Sequence, residues 1–207
     1  MAKKPNTEAE FARADDKSRK RKAARDRMLA NKTVEKGLLI VHTGKGKGKS
    51  TAAFGLVTRA IGNGMKVGVV QYVKGKWETG ERGVLEQFPD QVTIRTMGEG
   101  FTWETQDKAR DIAAAEKAWA ASKEMIADPS YDLVVLDELN IVLRYNYLNL
   151  DEVLSALAAR REMLHVVVTG RNAKPELIEA ADLVTEMTQI KHPFREQNVR
   201  AQKGIEF

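Results

Sequence analysis

The sequence predicts an α/β fold that is doubly wound around a mostly parallel sheet and preceded by a charged helical arm. Between residues 37 and 190, short apolar runs alternate with longer amphipathic stretches. This alternation is typical of strands joined by right-handed helical crossovers. The runs are continuously apolar, which indicates strands that are buried on both faces. The predicted strands are Leu38–Val41, Val67–Val73, Val92–Thr96, Leu133–Leu136 and Val166–Thr169.

Four segments that follow these strands have the pattern of helices. We expect Asp151 to begin one of them, because Asp at an N-cap accepts hydrogen bonds from first-turn N–H groups. Pro175 fits the first turn of another, where the N–H that proline lacks is not needed. The predicted helices are Ser50–Ile61, Gln106–Ala127, Asp151–Arg161 and Pro175–Ala181, and Lys191–Phe207 is expected to be irregular.

The charge distribution divides the chain into an arm, residues 1–36, and an α/β domain, residues 37–207. The arm has a net charge of +6 and the domain a net charge of −1. A nucleic-acid-binding protein usually carries its basic surface on the folded domain, so we expect no nucleic-acid partner. The arm is partly helical or disordered in this prediction. Either it is simply solvated, or it covers an anionic ligand or docks on a partner subunit.

The rarer residues limit the chemistry. There are no cysteines, which excludes disulfides, thiolate metal sites and a cysteine nucleophile. Only three histidines occur, and we expect His42 in the core and His165 at a strand start. Any metal should therefore be a hard cation bound by oxygens. The sequence has no apolar run that could span a bilayer and no secretion signal, so we expect no membrane partner and a cytoplasmic location.

A glycine-rich segment lies between the first predicted strand and the first predicted helix, which is the context of a phosphate-binding loop. Its glycines allow backbone N–H groups to converge on phosphate oxygens, and the helix N-terminus favours negative charge. The lysine before the helix would contact the phosphates, and the next hydroxyl would bind Mg²⁺. The spacing is one residue shorter than usual. The pattern predicts a P-loop NTPase-like, RecA-like fold that binds a nucleotide through Gly44, Lys45, Gly46, Lys47, Gly48, Lys49, Ser50 and Thr51.

Two carboxylates, Asp137 and Glu138, end the fourth predicted strand. In P-loop proteins an acidic residue at this place positions the Mg²⁺ of the bound nucleotide. Adjacent residues point in different directions at a strand end, so one could face the metal while the other supports it. The alternative is that Asp137 caps the next helix. The sequence does not decide which carboxylate binds the metal.

Taken together, the motifs resemble the ATP:corrinoid adenosyltransferase family, and the likeness runs from Gly37 to the C-terminus. The shortened loop combined with the Gly-Phe-Thr-Trp-Glu-Thr segment is more specific than either motif alone. The matching stretches are Thr43–Gly55, Val69–Trp77, Gly80–Arg82, Gly100–Thr105, Val134–Leu139, Val168–Arg171, Lys191–Phe194 and Lys203–Phe207.

This resemblance implies that the chain transfers the 5′-deoxyadenosyl group of ATP to the cobalt of a reduced cob(I) corrinoid and releases triphosphate. The corrinoid would be cobalamin or cobyrinic acid a,c-diamide, in adenosylcobalamin biosynthesis or salvage. Cobalt is the nucleophile, so the resemblance implies no protein nucleophile and gives Lys49 the role of stabilising the leaving group. It implies Mg²⁺, or Mn²⁺, at Ser50 and Glu138 or Asp137. It also implies a homodimer and an electron-donating flavoprotein.

By the same resemblance, Phe101 and Trp103 would pack against the corrin, although aromatic residues are more often part of a core. Arg59 and Arg171 are further candidates for nucleotide contact. Three alternatives stay open: a P-loop ATPase that forms ADP and phosphate, a small-molecule kinase, and a binding protein that acts through its basic arm. An arginine-rich lid would favour the kinase, but Arg160 and Arg161 lie in what we interpret as an ordinary helix.

Overall fold

A computed structural model describes residues 7–73, 80–97 and 107–205, and these form two compact units, Met1–Glu35 and Lys36–Phe207. In the first unit, helix α1 spans Glu8–Ala30 and buries none of its side chains. It begins after Thr7, whose backbone N–H donates to the Glu10 carboxylate at 2.7 Å. A reciprocal cap of this kind supports a helix that has no apolar face to bury.

The second unit is built on a parallel sheet of six strands within the described residues, which confirms the predicted fold class. The strand order is β3-β2-β4-β5-β1-β6. Five strands correspond to the five predicted apolar runs, while the edge strand β6 was not predicted. The strands are β1 Leu39–Thr43, β2 Val67–Gln71, β3 Val92–Thr96, β4 Leu133–Asp137, β5 His165–Thr169 and β6 Leu183–Glu186.

Helices of this unit alternate with the strands. The described ones are α2 Lys49–Gly62, α3 Gly80–Leu85, α4 Lys108–Ala127, α5 Leu139–Arg144, α6 Leu150–Ala158, α7 Pro175–Ala180 and α8 Pro193–Glu196. Pro175 begins α7 as predicted. The prediction that Asp151 begins a helix was wrong, because α6 begins at Leu150 and its cap is Asn149. The Asn149 side chain accepts from the Glu152 N–H at 3.1 Å. The prediction also missed α3, α5 and the short α8.

Apolar side chains cover both faces of the sheet. Along β1, Leu39 and Val41 join the cluster that contains α4, α5 and α6, while Ile40 joins the cluster that contains α2. This alternation explains the continuous apolar runs in the sequence, since residues of the central strands meet a layer of helices on both faces of the sheet. Burial of each such Val, Leu or Ile side chain contributes about 1.5–3 kcal/mol to stability.

The carboxyl ends of all six strands lie at one edge of the sheet, because the strands are parallel. In doubly wound sheets, ligands bind at this edge. The predicted phosphate loop and the predicted acidic pair both lie there, after β1 and at the end of β4. Among the described residues, none of the helices combines the length and the apolar character that a bilayer crossing requires.

Candidate nucleotide-binding site

The loop between β1 and α2 has the backbone of a phosphate cradle. Gly44 and Gly48 have φ angles of 97° and 103°, a left-handed conformation that residues with a Cβ rarely adopt. Gly48 is also the N-cap of α2, and the first N–H groups of a helix have no partner within the helix, so they are directed towards the loop. Lys49 is only 6% exposed, and its Nζ donates to the Gly46 carbonyl at 2.5 Å. A side-chain cation therefore lies inside the loop beside those N–H groups.

The electrostatics of Lys49 favour an anionic ligand. Burial is the main cause that lowers the pKa of its ammonium group, and the positive charges of Arg171 and Lys47 lower that pKa further. The carboxylate of Glu138 acts in the opposite direction and raises it. A polyphosphate next to Lys49 would add negative charge and favour the charged ammonium. The loop is thus a place where added anionic charge is stabilised.

The main chain of Met187, just after β6, holds the loop from one side. The Met187 carbonyl accepts from the Gly46 N–H at 2.7 Å, and its N–H donates to the Thr43 carbonyl at 2.9 Å. A Cβ on Gly44 would lie 2.5 Å from the Met187 carbonyl oxygen, and one on Gly46 would lie 2.7 Å from it. The close passage of this chain segment explains why both loop positions are glycine. Met187 was not among the residues predicted from the sequence.

The two carboxylates at the end of β4 have different surroundings. Asp137 is fully buried, and its Oδ1 accepts from the Thr169 hydroxyl at 2.8 Å. Its Oδ2 accepts from the Gln71 side-chain amide at 3.4 Å. Glu138 is partly exposed and has a φ of 67°. Its carboxylate lies close enough to Lys49 to raise the pKa of the Lys49 ammonium group. The cap alternative for Asp137 was wrong, because Asp137 lies in the strand and the N-cap of α5 is Glu138.

The oxygen atoms near the loop fit a magnesium ion that is bound together with the nucleotide. Within the described ranges, no three acidic or histidine side chains come together as a protein-only metal site. Mg²⁺ in nucleotide enzymes is usually held by one or two protein oxygens, substrate phosphates and water. The Ser50 hydroxyl at the start of α2 and the Glu138 carboxylate are oxygens of the required kind. Asp137 is engaged by its neighbours on both oxygens, so Glu138 is the better candidate ligand.

A polar cavity of about 400 Å³ opens beside the loop. Three of its lining side chains are cationic, and they come from the loop, from the segment after β5 and from α8. Arg171, a candidate from the sequence, is one of them. Arg195 was not predicted as a site residue. The lining consists of Lys45, Arg171, Glu186, Thr188, Gln189 and Arg195.

Other predicted residues lie elsewhere. Arg59 is exposed in the last turn of α2, ten residues after Lys49 and so roughly 15 Å along the helix axis. The structure does not bring Arg59 to the loop, and its side chain lines a separate cavity with His165 at the opposite end of the strands. Phe101 and Trp103 lie outside the described residues.

The histidine interpretations agree with the structure, whereas the helical interpretation of Arg160 and Arg161 was wrong, because α6 ends at Ala158 and both arginines follow it. His42 is buried, with its Nδ1 3.3 Å from the Lys49 carbonyl oxygen, and His165 begins β5. Arg160 donates to the Leu157 and Leu164 carbonyls and Arg161 to the Tyr131 carbonyl. Arg160 also donates to the Asp182 carboxylate at 3.3 Å. Both guanidinium groups are thus engaged within the protein, which is not what a phosphate lid requires.

Comparison with known proteins gives one consistent result. The sequence model of the family described as "ATP:corrinoid adenosyltransferase BtuR/CobO/CobP" matches residues 35–207. A corrinoid adenosyltransferase of Pseudomonas aeruginosa is 55% identical over 192 residues, which cover 93% of this chain and 94% of the relative. One from Sinorhizobium sp. is 56% identical, covering 97% and 94%. The Escherichia coli K12 enzyme of that name is 47% identical, covering 88% and 91%.

Proposed function

The chain belongs to the ATP:corrinoid adenosyltransferase family, and we propose that it holds the triphosphate of ATP in Gly44–Thr51 while the adenosyl group moves to a corrinoid. Family membership confirms the resemblance inferred from the motifs and supports ATP-dependent adenosylation of a corrinoid as the reaction. It does not favour ATP hydrolysis. The observation that carries the assignment of the site is the buried Lys49 ammonium inside a glycine loop at a helix N-terminus.

The reaction places modest demands on the protein's own side chains. The cobalt of the reduced corrinoid supplies an electron pair to C5′ of ATP, a cobalt–carbon bond forms, and the carbon–oxygen bond breaks. The triphosphate leaves with the electrons of that bond. The protein must align the two substrates and offset the charge that develops on the leaving oxygen. Lys49 and the N–H groups of the loop would do this, with Arg171 and Arg195 beside them.

We propose that the nucleotide brings Mg²⁺, or Mn²⁺ in its place, to Ser50 and Glu138. The ion would offset further negative charge on the triphosphate. Support comes from the partly exposed carboxylate beside Lys49 and from the hydroxyl in the first turn of α2. Asp137 would act through its neighbours, since it is buried and hydrogen-bonded.

The finer identity of the partners remains a proposal. Cobalamin and cobyrinic acid a,c-diamide both fit the family's reaction. Phe101 and Trp103 are proposed to pack against the corrin on the basis of their match to the family motif. The homodimer, the flavoprotein that reduces cobalt, the cytoplasmic location and the division into an arm of residues 1–36 and a domain of residues 37–207 likewise stay predictions.

The decisive experiment is an anaerobic assay with MgATP and chemically reduced cob(I)alamin, in which both products are quantified. We expect adenosylcobalamin and intact triphosphate in equal amounts. Lys49→Ala should lower kcat/KM for ATP by at least about 100-fold, because it removes a buried charge from the leaving group. Lys117→Ala, which changes an exposed lysine on α4, is the matched control and should behave like the wild type.

Two results would contradict the proposal. Formation of ADP and phosphate without a cobalt–carbon bond would show that the chain is an ATPase. Normal kinetics for Lys49→Ala would show that the loop is not the triphosphate site, whatever the reaction is.

A further inference from the structure

Four polar residues end four neighbouring strands and form a continuous row across the carboxyl edge of the sheet. Thr96 ends β3, Gln71 ends β2, Asp137 ends β4 and Thr169 ends β5. The strand register pairs Gln71 with both Thr96 and Asp137, and it pairs Leu136 with Val168, which sets Asp137 beside Thr169. In β2, β4 and β5 the preceding residue is apolar, so in these three strands the change to a polar side chain comes at the edge that carries the site; in β3 the preceding residue is Arg95.

The hydrogen bonds in the row converge on Asp137 from both sides. The Thr96 hydroxyl donates to the Gln71 side-chain carbonyl at 2.9 Å, and the Gln71 amide donates to Asp137 Oδ2 at 3.4 Å. Thr169 donates its only hydroxyl proton to Asp137 Oδ1 at 2.8 Å. A carboxylate can only accept, so Asp137 fixes the orientation of both neighbours. The Thr169 oxygen therefore keeps its lone pairs for another donor.

That donor is the backbone N–H of Glu138, 2.9 Å from the Thr169 oxygen. Glu138 has φ 67° and ψ 18°, a left-handed conformation that is unfavourable for a residue with a Cβ and persists only where its surroundings enforce it. The bond to Thr169 is one enforcing contact. Gly170 leaves room for the carboxylate, since a Cβ there would lie 3.2 Å from Glu138 Oε2.

We infer that Thr169 is a positioning residue for the reaction, because it holds Glu138 in its left-handed conformation and thereby sets where the carboxylate meets the metal–nucleotide complex. Gln71 supports it through Asp137. This inference rests on the proposed role of Glu138. It assigns roles to two residues that touch neither ATP nor metal in the proposal, and both roles follow from their hydrogen bonds alone.

The test measures metal binding directly, with Mn²⁺ and ATP, by the loss of the free Mn²⁺ signal in electron paramagnetic resonance. Thr169→Val keeps the side-chain shape but removes the hydroxyl. It should weaken Mn²⁺ binding to the protein–ATP complex by about 10- to 100-fold, which is typical when a partner that orients a metal ligand is lost. Thr169→Ser restores the hydroxyl and should bind within about threefold of the wild type. Thr185→Val makes the same replacement on the exposed edge strand β6. This control variant should have the Mn²⁺ affinity of the wild type.

Equal Mn²⁺ affinity in Thr169→Val and the wild type would overturn the inference, and so would a Thr169→Ser protein as weak as Thr169→Val. If Thr169→Val does not fold, Gln71→Met removes the amide that donates to Asp137. Gln71→Met should then also weaken Mn²⁺ binding, by a smaller factor than Thr169→Val. Unchanged Mn²⁺ binding would contradict the inference that the row positions Glu138. If the wild type binds Mn²⁺ and ATP but forms no cobalt–carbon bond, the proposed function is refuted. The Mn²⁺ affinities of the variants would still test the role of Thr169.

Discussion

Replacement of Gly46 by alanine tests the way in which the phosphate loop is held. A Cβ at this position would lie 2.7 Å from the Met187 carbonyl oxygen and 2.9 Å from the Thr188 carbonyl carbon. Both are main-chain atoms that follow an edge strand of the sheet, so they cannot rotate away as a side chain could. Gly46 has no positive φ, which makes the close approach, and not backbone strain, the source of the effect.

The size of this effect follows from the crowding. An added methyl group in a packed place costs about 1–3 kcal/mol. If the loop relieves the contact by moving out of its phosphate-binding shape, that cost appears in ATP binding as about a 5- to 150-fold weaker Kd. Titration calorimetry with MgATP measures the Kd, and urea unfolding measures any part of the cost that falls on stability.

Gly55 offers a matched control in the helix that follows the loop. It lies in the middle of α2, and a Cβ there would meet no atom within 4 Å. Gly55→Ala should stabilise the protein by about 0.5–1 kcal/mol and raise Tm by about 1–4 °C, with unchanged ATP affinity. Wild-type ATP binding by Gly46→Ala, or equal losses in both variants, would refute the account of the loop.

Two further predictions concern the corrinoid and the edge strand. Trp103→Ala should raise the KM for the corrinoid more than the KM for ATP, and equal changes in steady-state assays would place Trp103 in the core instead. The hydrogen bond from Lys36, together with the Leu39 N–H and the charge of Arg160, holds the pKa of Asp182 below its ordinary value. Since that pKa is lowered, the stabilisation is complete above the unfolded pKa of about 3.9 and is lost as pH falls through the folded pKa. Asp182→Asn should thus lower the unfolding free energy by about 1–2 kcal/mol at pH 7 and by clearly less at pH 3, measured in urea; a gap that stays constant with pH would contradict this.

Local sequence was sufficient to predict the centre of the fold. Strands β1, β2, β4 and β5 are buried and carry apolar runs because helices cover both faces of the sheet, and such runs are visible without a structure. Strand β3 alternates Val92 and Ile94 with polar residues, a pattern that also predicts a strand. Strand β6 has no such run, since Leu183 and Val184 are exposed at the sheet edge, so its pairing with β1 could not be predicted. The start of α6 was misplaced because Asn149 and Asp151 are both good N-cap residues and only the structure shows which one is used.

The candidate site divides in a similar way. The phosphate loop was predictable because its glycines, Lys49 and Ser50 are consecutive and lie between a strand and a helix. Thr169 and Met187 come from distant parts of the chain, and the sheet alone brings them to the loop and to the acidic pair. Arg59 was expected at the nucleotide because it shares a helix with the loop. A helix rises about 1.5 Å per residue, however, and places Arg59 at its far end.

Strand β6 acts as a spacer of fixed length. At one end the Asp182 side chain accepts from the Leu39 N–H at 2.9 Å, and at the other the Met187 main chain meets Thr43 and Gly46. The contacts at the Met187 end are made by main-chain atoms, so the distance between the two ends matters more than which side chains lie between them. Insertion or deletion of a single residue in this stretch would move the Met187 main chain by about 3.3 Å relative to the loop. A substitution in the same stretch would move it less. We therefore expect substitutions of the exposed Leu183 and Val184 to be tolerated better than any change in the number of residues in this stretch.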